Sequence, residues 1–95
     1  MTALDENPID EHDLGKLRWR CRRGLLENDL FLERFFKRHG ATLLTRQASA
    51  LTALMELSDH DLLDLHLARK TLAEVSPSLD SEHVREVLTM LRENR

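Results

Sequence analysis

The sequence predicts an all-α protein, a compact five-helix bundle of short helices. Leucine recurs along the whole chain, tyrosine is absent, and the 95 residues include only three glycines and two prolines. A β-sandwich needs β-branched and aromatic residues in its strands and many turn residues between them. No alternating strand pattern of convincing length occurs, and a chain of this length is expected to form one domain.

The amino terminus is expected to differ from the rest of the chain. Residues 1–9 are predicted to form a flexible acidic segment, because they include Pro8 and too little apolar surface to offset the entropy of ordering. The single helical domain is predicted to cover residues 10–95.

Apolar residues at i, i+3 and i+7 predict the first helix. They are Leu14, Leu17 and Cys21. Asp10 or Asp13 is available as the N-cap. Gly24 is expected to end this helix, because glycine costs about 1 kcal/mol relative to alanine in a helix interior. As the only cysteine, Cys21 cannot form an intramolecular disulfide, and it is expected to be a small buried hydrophobic residue.

The second helix is predicted over residues 25–39 as the central helix of the core. Its apolar residues are Leu26, Leu30, Phe31, Leu32, Phe35 and Phe36. Gly40 follows three basic residues and is expected to close the helix in a left-handed conformation. Thr42 or Thr45 would cap the third helix, whose small residues from Ala48 to Ala53 predict close packing against the second helix.

Two further helices are predicted in the carboxyl-terminal half. Ser58, with Asp61 three residues later, resembles a capping box that opens the fourth helix. Residues 70–79 are expected to be a connection, and Asp80 is expected to cap the last helix. One apolar face marks that helix: Val84, Val87, Leu88 and Leu91.

The distribution of charge limits the functional classes. The net charge is −3, yet residues 16–23 carry five basic residues and no acidic one. This basic helix makes nucleic-acid binding an alternative, but the net negative charge and a single interleaved aromatic residue, Trp19, disfavour it. We therefore expect no nucleic-acid partner. The absence of a signal peptide and of a long apolar segment predicts a cytoplasmic protein that does not insert into membranes.

Candidate residues for catalysis or metal binding are scattered. His60 and His66 are six residues apart, so they point to different faces of a helix, and the two-histidine zinc spacing is missing. No glycine-rich loop follows a strand. We expect no catalytic residue, no metal site and no enzyme activity.

The segment between the first two helices carries the clearest functional signal. Arg23, Gly24 and Glu27 place a fork of donors, a bare backbone and an acceptor within one helical turn. Trp19 lies off the apolar stripe of its helix and is expected to be partly exposed as an anchor at a partner surface. This combination indicates a protein docking surface.

These residues resemble the signature of the succinate dehydrogenase flavinylation factors, the succinate dehydrogenase assembly factor 2 family. The central motif of that signature, Arg-Gly-x-x-Glu, is present here as residues 23–27, and the similarity runs from about Leu17 to Leu91. The remaining signature residues are Trp19, Cys21, Arg22 and Asp29. The resemblance implies a small five-helix assembly factor, not an oxidoreductase.

The resemblance also implies a partner and a binding site. The factor would bind the flavoprotein subunit of succinate dehydrogenase, and in bacteria that of fumarate reductase, and promote the covalent attachment of FAD. FAD would be handled through the partner, with no cofactor bound stably, and the factor would be a monomer when free. The expected partner-binding residues are Arg23, Gly24, Glu27, Arg22, Trp19 and Asp29. A helical interaction module that acts as an antitoxin or regulator is the alternative.

Overall fold

The computed structural model describes residues 7–22, 24 and 26–93, and these residues form six α-helices and no β-strand. The helices are α1 (Glu11–Arg20), α2 (Leu26–His39), α3 (Thr45–Leu54), α4 (Asp59–His66), α5 (Leu72–Val75) and α6 (Glu82–Leu91). All except α5 have eight or more residues. The predicted all-α class is confirmed.

The short helix α5 corrects the prediction that residues 70–79 are only a connection. Thr71 and Glu74 form a reciprocal capping box: the Glu74 carboxylate accepts from the backbone N–H of Thr71 at 2.8 Å, and the Thr71 hydroxyl accepts from the backbone N–H of Glu74 at 3.2 Å. Leu72 is buried and ties the turn to the core. A 3₁₀ turn over Pro77–Leu79 then leads to α6.

Part of the predicted flexible segment is hydrogen-bonded to the domain. The Ile9 amide donates to the carbonyl of Leu43 at 3.0 Å, and the Thr45 amide donates to the carbonyl of Asn7 at 2.8 Å. These bonds hold residues 7–9 beside the chain that enters α3. Residues 1–6 lie outside the described residues.

The first helix begins as predicted and ends earlier than predicted. The Asp10 side chain accepts a hydrogen bond from the Asp13 amide at 2.8 Å, which confirms Asp10 as the N-cap. The helix ends at Arg20, with Cys21 as its C-cap, rather than at Gly24. Cys21 is 1% exposed, as expected for a small hydrophobic residue. Gly24 has a φ of +85° and belongs to the turn that follows.

The central helix α2 buries a narrower face than the sequence predicts. Leu32, Phe35 and Phe36 are buried, but Leu26 and Leu30 are 68% and 40% exposed. Each of these two leucines lies two positions before the next buried side chain on the helix, a rotation of roughly 200°. The inclusion of Leu26 and Leu30 in the core was therefore wrong, because the neighbouring helices cover the opposite side of α2.

Gly40 also differs from its expected conformation. It opens a 3₁₀ turn over Gly40–Thr42 and is buried beside Leu14 and Phe36. Among the described glycines, Gly24 alone has a positive φ, so the left-handed closure expected at Gly40 is wrong. The 3₁₀ turn tightens the end of the helix instead, which is a common way to end one.

The third helix was expected to pack against α2, but it packs chiefly against α6. The main helical partners of α2 are α4 and α6. The apolar face predicted for α6 provides the reason, because it supplies the large surface that covers α3. Ala50 of α3 is buried, and a small side chain at a buried position permits neighbouring helices to approach closely. All four of these helices contribute fully buried aliphatic or aromatic side chains, and Leu43, just before α3, adds another: Phe35, Leu43, Leu51, Leu54, Leu62, Leu65, Val87 and Leu91.

Two of the remaining helix caps differ from the predictions. Ser58 accepts from the Asp61 amide at 3.2 Å and caps α4 as predicted. Ser81, not Asp80, caps α6, because Asp80 forms a 2.6 Å ion pair with Arg85. At α3 the N-cap position is Leu44; its amide donates to the Gln47 side chain at 2.9 Å, so neither proposed threonine is the cap.

Candidate functional site

The turn between α1 and α2 contains the glycine that the sequence singled out. Gly24 has a φ of +85°, a region that favours glycine because a Cβ is strained there. A Cβ placed on Gly24 would meet no heavy atom within 4 Å. The backbone conformation, and not local crowding, therefore requires glycine within the chain itself, and this side of the turn is open. Arg23 and Leu25 lie outside the described residues.

Trp19 lies on the exposed side of α1 and is 75% exposed, as predicted. The guanidinium carbon of Arg22 is 5.9 Å from the centre of the Trp19 ring. Such a cation–π contact contributes about 0.5–1 kcal/mol at an exposed site. It holds the arginine against one face of the indole and brings two of the predicted site residues together.

Exposed apolar side chains concentrate near this turn. The large hydrophobic residues that are exposed in the described part of the chain are Trp19, Leu26, Leu30 and Leu67. The first three lie within six positions of Gly24 in the sequence. A single exposed leucine needs no explanation, but a group of large apolar residues beside charged groups is typical of an interaction surface. We call these three exposed side chains the apolar patch; they flank Gly24 in the sequence, with Trp19 on one side and Leu26 and Leu30, one helical turn apart, on the other.

A groove between α1 and α2 adjoins the apolar patch. Arg18 and Trp19 line it from α1, Arg22 lines it from the turn after α1, and Asp29 and Glu33 line it from α2. The groove therefore brings Trp19, Arg22 and Asp29 of the predicted site together. Because carboxylates share the groove with the arginines, its charge is mixed, which favours a protein partner over a nucleic-acid backbone.

Glu27 is exposed in the first turn of α2. A carboxylate is favoured there because the helix N-terminus carries a partial positive charge. It lies roughly 100° around the helix from Asn28, the first buried side chain of α2. Glu27 is thus available to a partner that contacts the Gly24 turn.

A buried polar pair lies directly behind this surface, and sequence reasoning missed it. Asn28 is 0% exposed and His66 is 3% exposed. Burial, followed by the positive charge of Arg92, lowers the pKa of His66 from 6.5 to about 4, so the imidazole is neutral at neutral pH. The pair is 38 residues apart in the sequence, and the one available signal was that Asn28 shares the helical face of Leu32 and Phe35.

The described residues include neither a metal-binding group nor a membrane-spanning helix. They contain no group of three or more histidine, cysteine, aspartate or glutamate side chains that could hold a metal ion. No helix among them is long and apolar enough to cross a bilayer.

A small helical fold with exposed apolar side chains beside an open glycine turn is typical of a protein-binding module. The chain belongs to the family whose model is described as flavinator of succinate dehydrogenase, which matches residues 15–95. The resemblance inferred from the Arg-Gly-x-x-Glu signature is thereby confirmed.

Individual relatives agree with the family match. The chain is 53% identical over 96 residues to the FAD assembly factor SdhE of Ralstonia nicotianae, covering 97% of this chain and 98% of that protein. It is 38% identical over 56 residues to the FAD assembly factor SdhE of Coxiella burnetii, covering 59% of this chain and 68% of that protein. The FAD assembly factor SdhE of Legionella pneumophila is 35% identical over 54 residues, covering 57% of this chain and 68% of that protein. No solved structure matches the chain significantly.

Proposed function

We propose that this chain is an assembly factor that binds the flavoprotein subunit of succinate dehydrogenase and promotes the covalent attachment of FAD to it. The family match and the relatives named FAD assembly factors support this function. The flavoprotein of fumarate reductase is a second proposed partner. We propose that the factor acts in the cytoplasm as a monomer.

The observation that carries the docking proposal is the apolar patch beside Gly24. Trp19 and Leu26 expose most of their surface in the free protein. Burying such surface against a partner gains about 25 cal/mol for each Å² removed from water. An aromatic anchor with a charged rim is also the composition of most binding hot spots. The patch is therefore the proposed docking site for the flavoprotein.

Each residue of the motif has a proposed role in docking. Gly24, with open space where a side chain would be, would let the partner's backbone approach closely. Arg23 would pair with a carboxylate or with backbone carbonyls of the flavoprotein. Glu27 would accept a hydrogen bond from the partner or orient Arg23. Arg22 and Asp29 would support the rim of the same surface.

The proposed mechanism leaves the redox chemistry with the flavin and its flavoprotein. FAD supplies the electrophilic ring system, and the acceptor residue belongs to the partner. No cofactor is proposed to stay bound to this chain. Its contribution is binding energy: by preferring one arrangement of the flavoprotein, it would raise the population of the form in which the covalent bond can form.

Covalent flavin fluorescence of the flavoprotein subunit tests this function. The denatured subunit is compared from cells that contain this protein, lack it, or carry Gly24→Arg or Glu27→Ala. We expect the flavin signal to fall in the deletion strain and in both variants. Glu56→Ala, at an exposed glutamate beyond the end of α3, is the matched control and should retain the signal.

Circular dichroism must show that each variant is still helical. An unchanged flavin signal in the deletion strain would contradict the assembly function. A lost signal in the deletion strain with a normal signal in both variants would move the docking site away from Gly24.

A further inference from the structure

The buried pair behind the docking surface forms a hydrogen-bonded lock between α2 and α4. The Asn28 amide nitrogen lies 3.0 Å from the carbonyl oxygen of Asp59, at the start of α4. The Asn28 amide oxygen lies 3.0 Å from Nδ1 of His66, at the end of α4. One side chain of α2 therefore contacts both ends of α4.

The partners determine the direction of each hydrogen bond. A backbone carbonyl only accepts, so the Asn28 amide nitrogen donates to Asp59 and the amide oxygen faces His66. That oxygen also only accepts, so Nδ1 of His66 carries the hydrogen. The Phe31 ring stacks on the imidazole, with centroids 4.7 Å apart and planes 24° apart, and holds the ring in this orientation.

This arrangement favours specificity over stability. The Nε2 atom of His66 is buried and has no hydrogen-bond partner, so the lock leaves one polar atom unsatisfied. Two apolar side chains of similar shape would fill the same space without that cost. Unlike an apolar contact, however, the hydrogen bonds permit only one register of α2 along α4.

The lock lies at the start of α2, next to the residues proposed for docking. Asn28 is flanked by Glu27 and Asp29 and lies two positions after Leu26 of the apolar patch. The helix begins after the turn at Gly24, which has a positive φ and open space beside it, so buried contacts within α2 help to set the direction in which the helix begins. The hydrogen bonds of Asn28 are the nearest buried constraint on that direction.

We propose that Asn28 and His66 are positioning residues that hold the first turns of α2 in the orientation that the flavoprotein recognises. The inference rests on the proposed docking function and deepens it. Preorganisation of this kind raises affinity because the free protein has already lost the freedom that docking would otherwise remove. Neither side chain touches the partner, because both are buried inside the fold.

The decisive test separates orientation from stability. Asn28→Leu leaves the Nδ1 donor of His66 unpaired, and we expect about tenfold weaker binding to the purified flavoprotein subunit, measured by calorimetric titration. The double variant Asn28→Leu with His66→Leu replaces both polar partners. Its melting temperature should therefore be higher than that of Asn28→Leu and close to that of the wild type. Its affinity should stay at least about fivefold below that of the wild type, because the register is still unspecified.

Two further variants complete the test. His66→Asn keeps an N–H donor near the position of Nδ1, and its affinity should remain within about threefold of the wild-type value. Val84→Ala removes buried surface from α6 and lowers stability without touching the lock, so it should bind normally.

The outcomes distinguish the inference from the function on which it rests. Recovery of affinity together with melting temperature in the double variant would overturn the positioning role, because stability alone would then explain the loss. Normal binding by Asn28→Leu would overturn it as well, while leaving the docking function intact. Failure of the wild-type protein to bind the flavoprotein would overturn the proposed function.

Discussion

Arg92 donates a 2.8 Å hydrogen bond from its Nε to the carbonyl oxygen of Leu65, and this bond ties the end of α6 to the last turn of α4. Because His66 follows Leu65 in the chain, the same bond places the Arg92 guanidinium beside the His66 imidazole. Together with burial, which is the larger effect, this charge lowers the pKa of His66 to about 4. The folded protein thus resists protonation of this imidazole.

The stability of the fold is expected to depend on pH through His66. Between pH 6.5 and about 4 the unfolded chain binds a proton that the folded chain does not, so stability falls as the pH falls through this window. The full loss in the free energy of unfolding is about 3 kcal/mol; it is reached below pH 4 and is absent above pH 6.5. Urea unfolding at neutral pH and near pH 4.5 measures it.

His66→Asn is the matched control, because it keeps a donor for Asn28 and cannot titrate. The carboxylates that titrate in the same range are common to both proteins and cancel in the difference. The wild type should lose about 2–3 kcal/mol more than the variant on acidification. Equal losses in the two proteins would show that His66 does not carry this dependence.

Ala68 is expected to be a site of strain that glycine would relieve. It has a φ of +58°, and its amide donates to the carbonyl of Leu65 while the Arg69 amide donates to that of Asp64. This is the hydrogen-bond pattern of a Schellman motif, whose left-handed position is usually glycine. Ala68→Gly should therefore stabilise the protein by about 1 kcal/mol in denaturant unfolding.

Ala73→Gly provides the contrast, because Ala73 is exposed within α5 and lacks a positive φ. Glycine should destabilise the protein there, by up to about 1 kcal/mol. Destabilisation by both substitutions would show that the backbone at Ala68 is not strained.

Gly24 should respond to substitution in two separable ways. Gly24→Ala and Gly24→Arg should each cost about 1–2 kcal/mol of stability, because both place a Cβ at a positive φ, and that Cβ meets no heavy atom within 4 Å. Only the arginine should also abolish docking, since its long side chain would occupy the space proposed for the partner. Thermal unfolding and titration with the flavoprotein subunit measure the two effects.

Equal affinities of these two variants for the flavoprotein would contradict a close approach of the partner to Gly24. A much larger loss of stability for arginine than for alanine would instead reveal a clash within the chain.

Trp19 should matter for binding and not for folding. Because Trp19 is 75% exposed and its ring contact is the one with Arg22, Trp19→Ala should change the unfolding free energy by no more than about 1 kcal/mol. Loss of an aromatic anchor should weaken docking at least about tenfold. Leu67→Ala, at an exposed leucine beyond the end of α4, should leave the affinity unchanged. Similar losses for the two variants would remove the special role of the apolar patch.

Local signals predicted the helices and several of their ends. Helical spacing indicated the five longer helices, and the side chains of Asp10 and Ser58 cap α1 and α4 as their sequence positions predicted. The exposure of Trp19 and the burial of Cys21 were also predicted correctly. In each of these cases the determining groups lie within one helix or its caps.

Contacts between distant elements were not predictable in the same way. Leu26 and Leu30 have helical spacing that suits a core, yet both are exposed on the surface of α2. The hydrogen bond between Asn28 and His66 joins residues 38 positions apart, and neither residue type by itself indicates that the two are paired. The preference of α3 for α6 likewise depends on which apolar faces meet when the chain folds.

The sequence by itself determined the helical class, the glycine turn and the motif that indicates the family, because these depend on neighbouring residues and on residue type. The tertiary structure alone decided that Leu26 and Leu30 are exposed and that Asn28 and His66 are buried together. Burial depends on what the other helices cover, and that follows from packing across the whole domain rather than from the periodicity of any one segment.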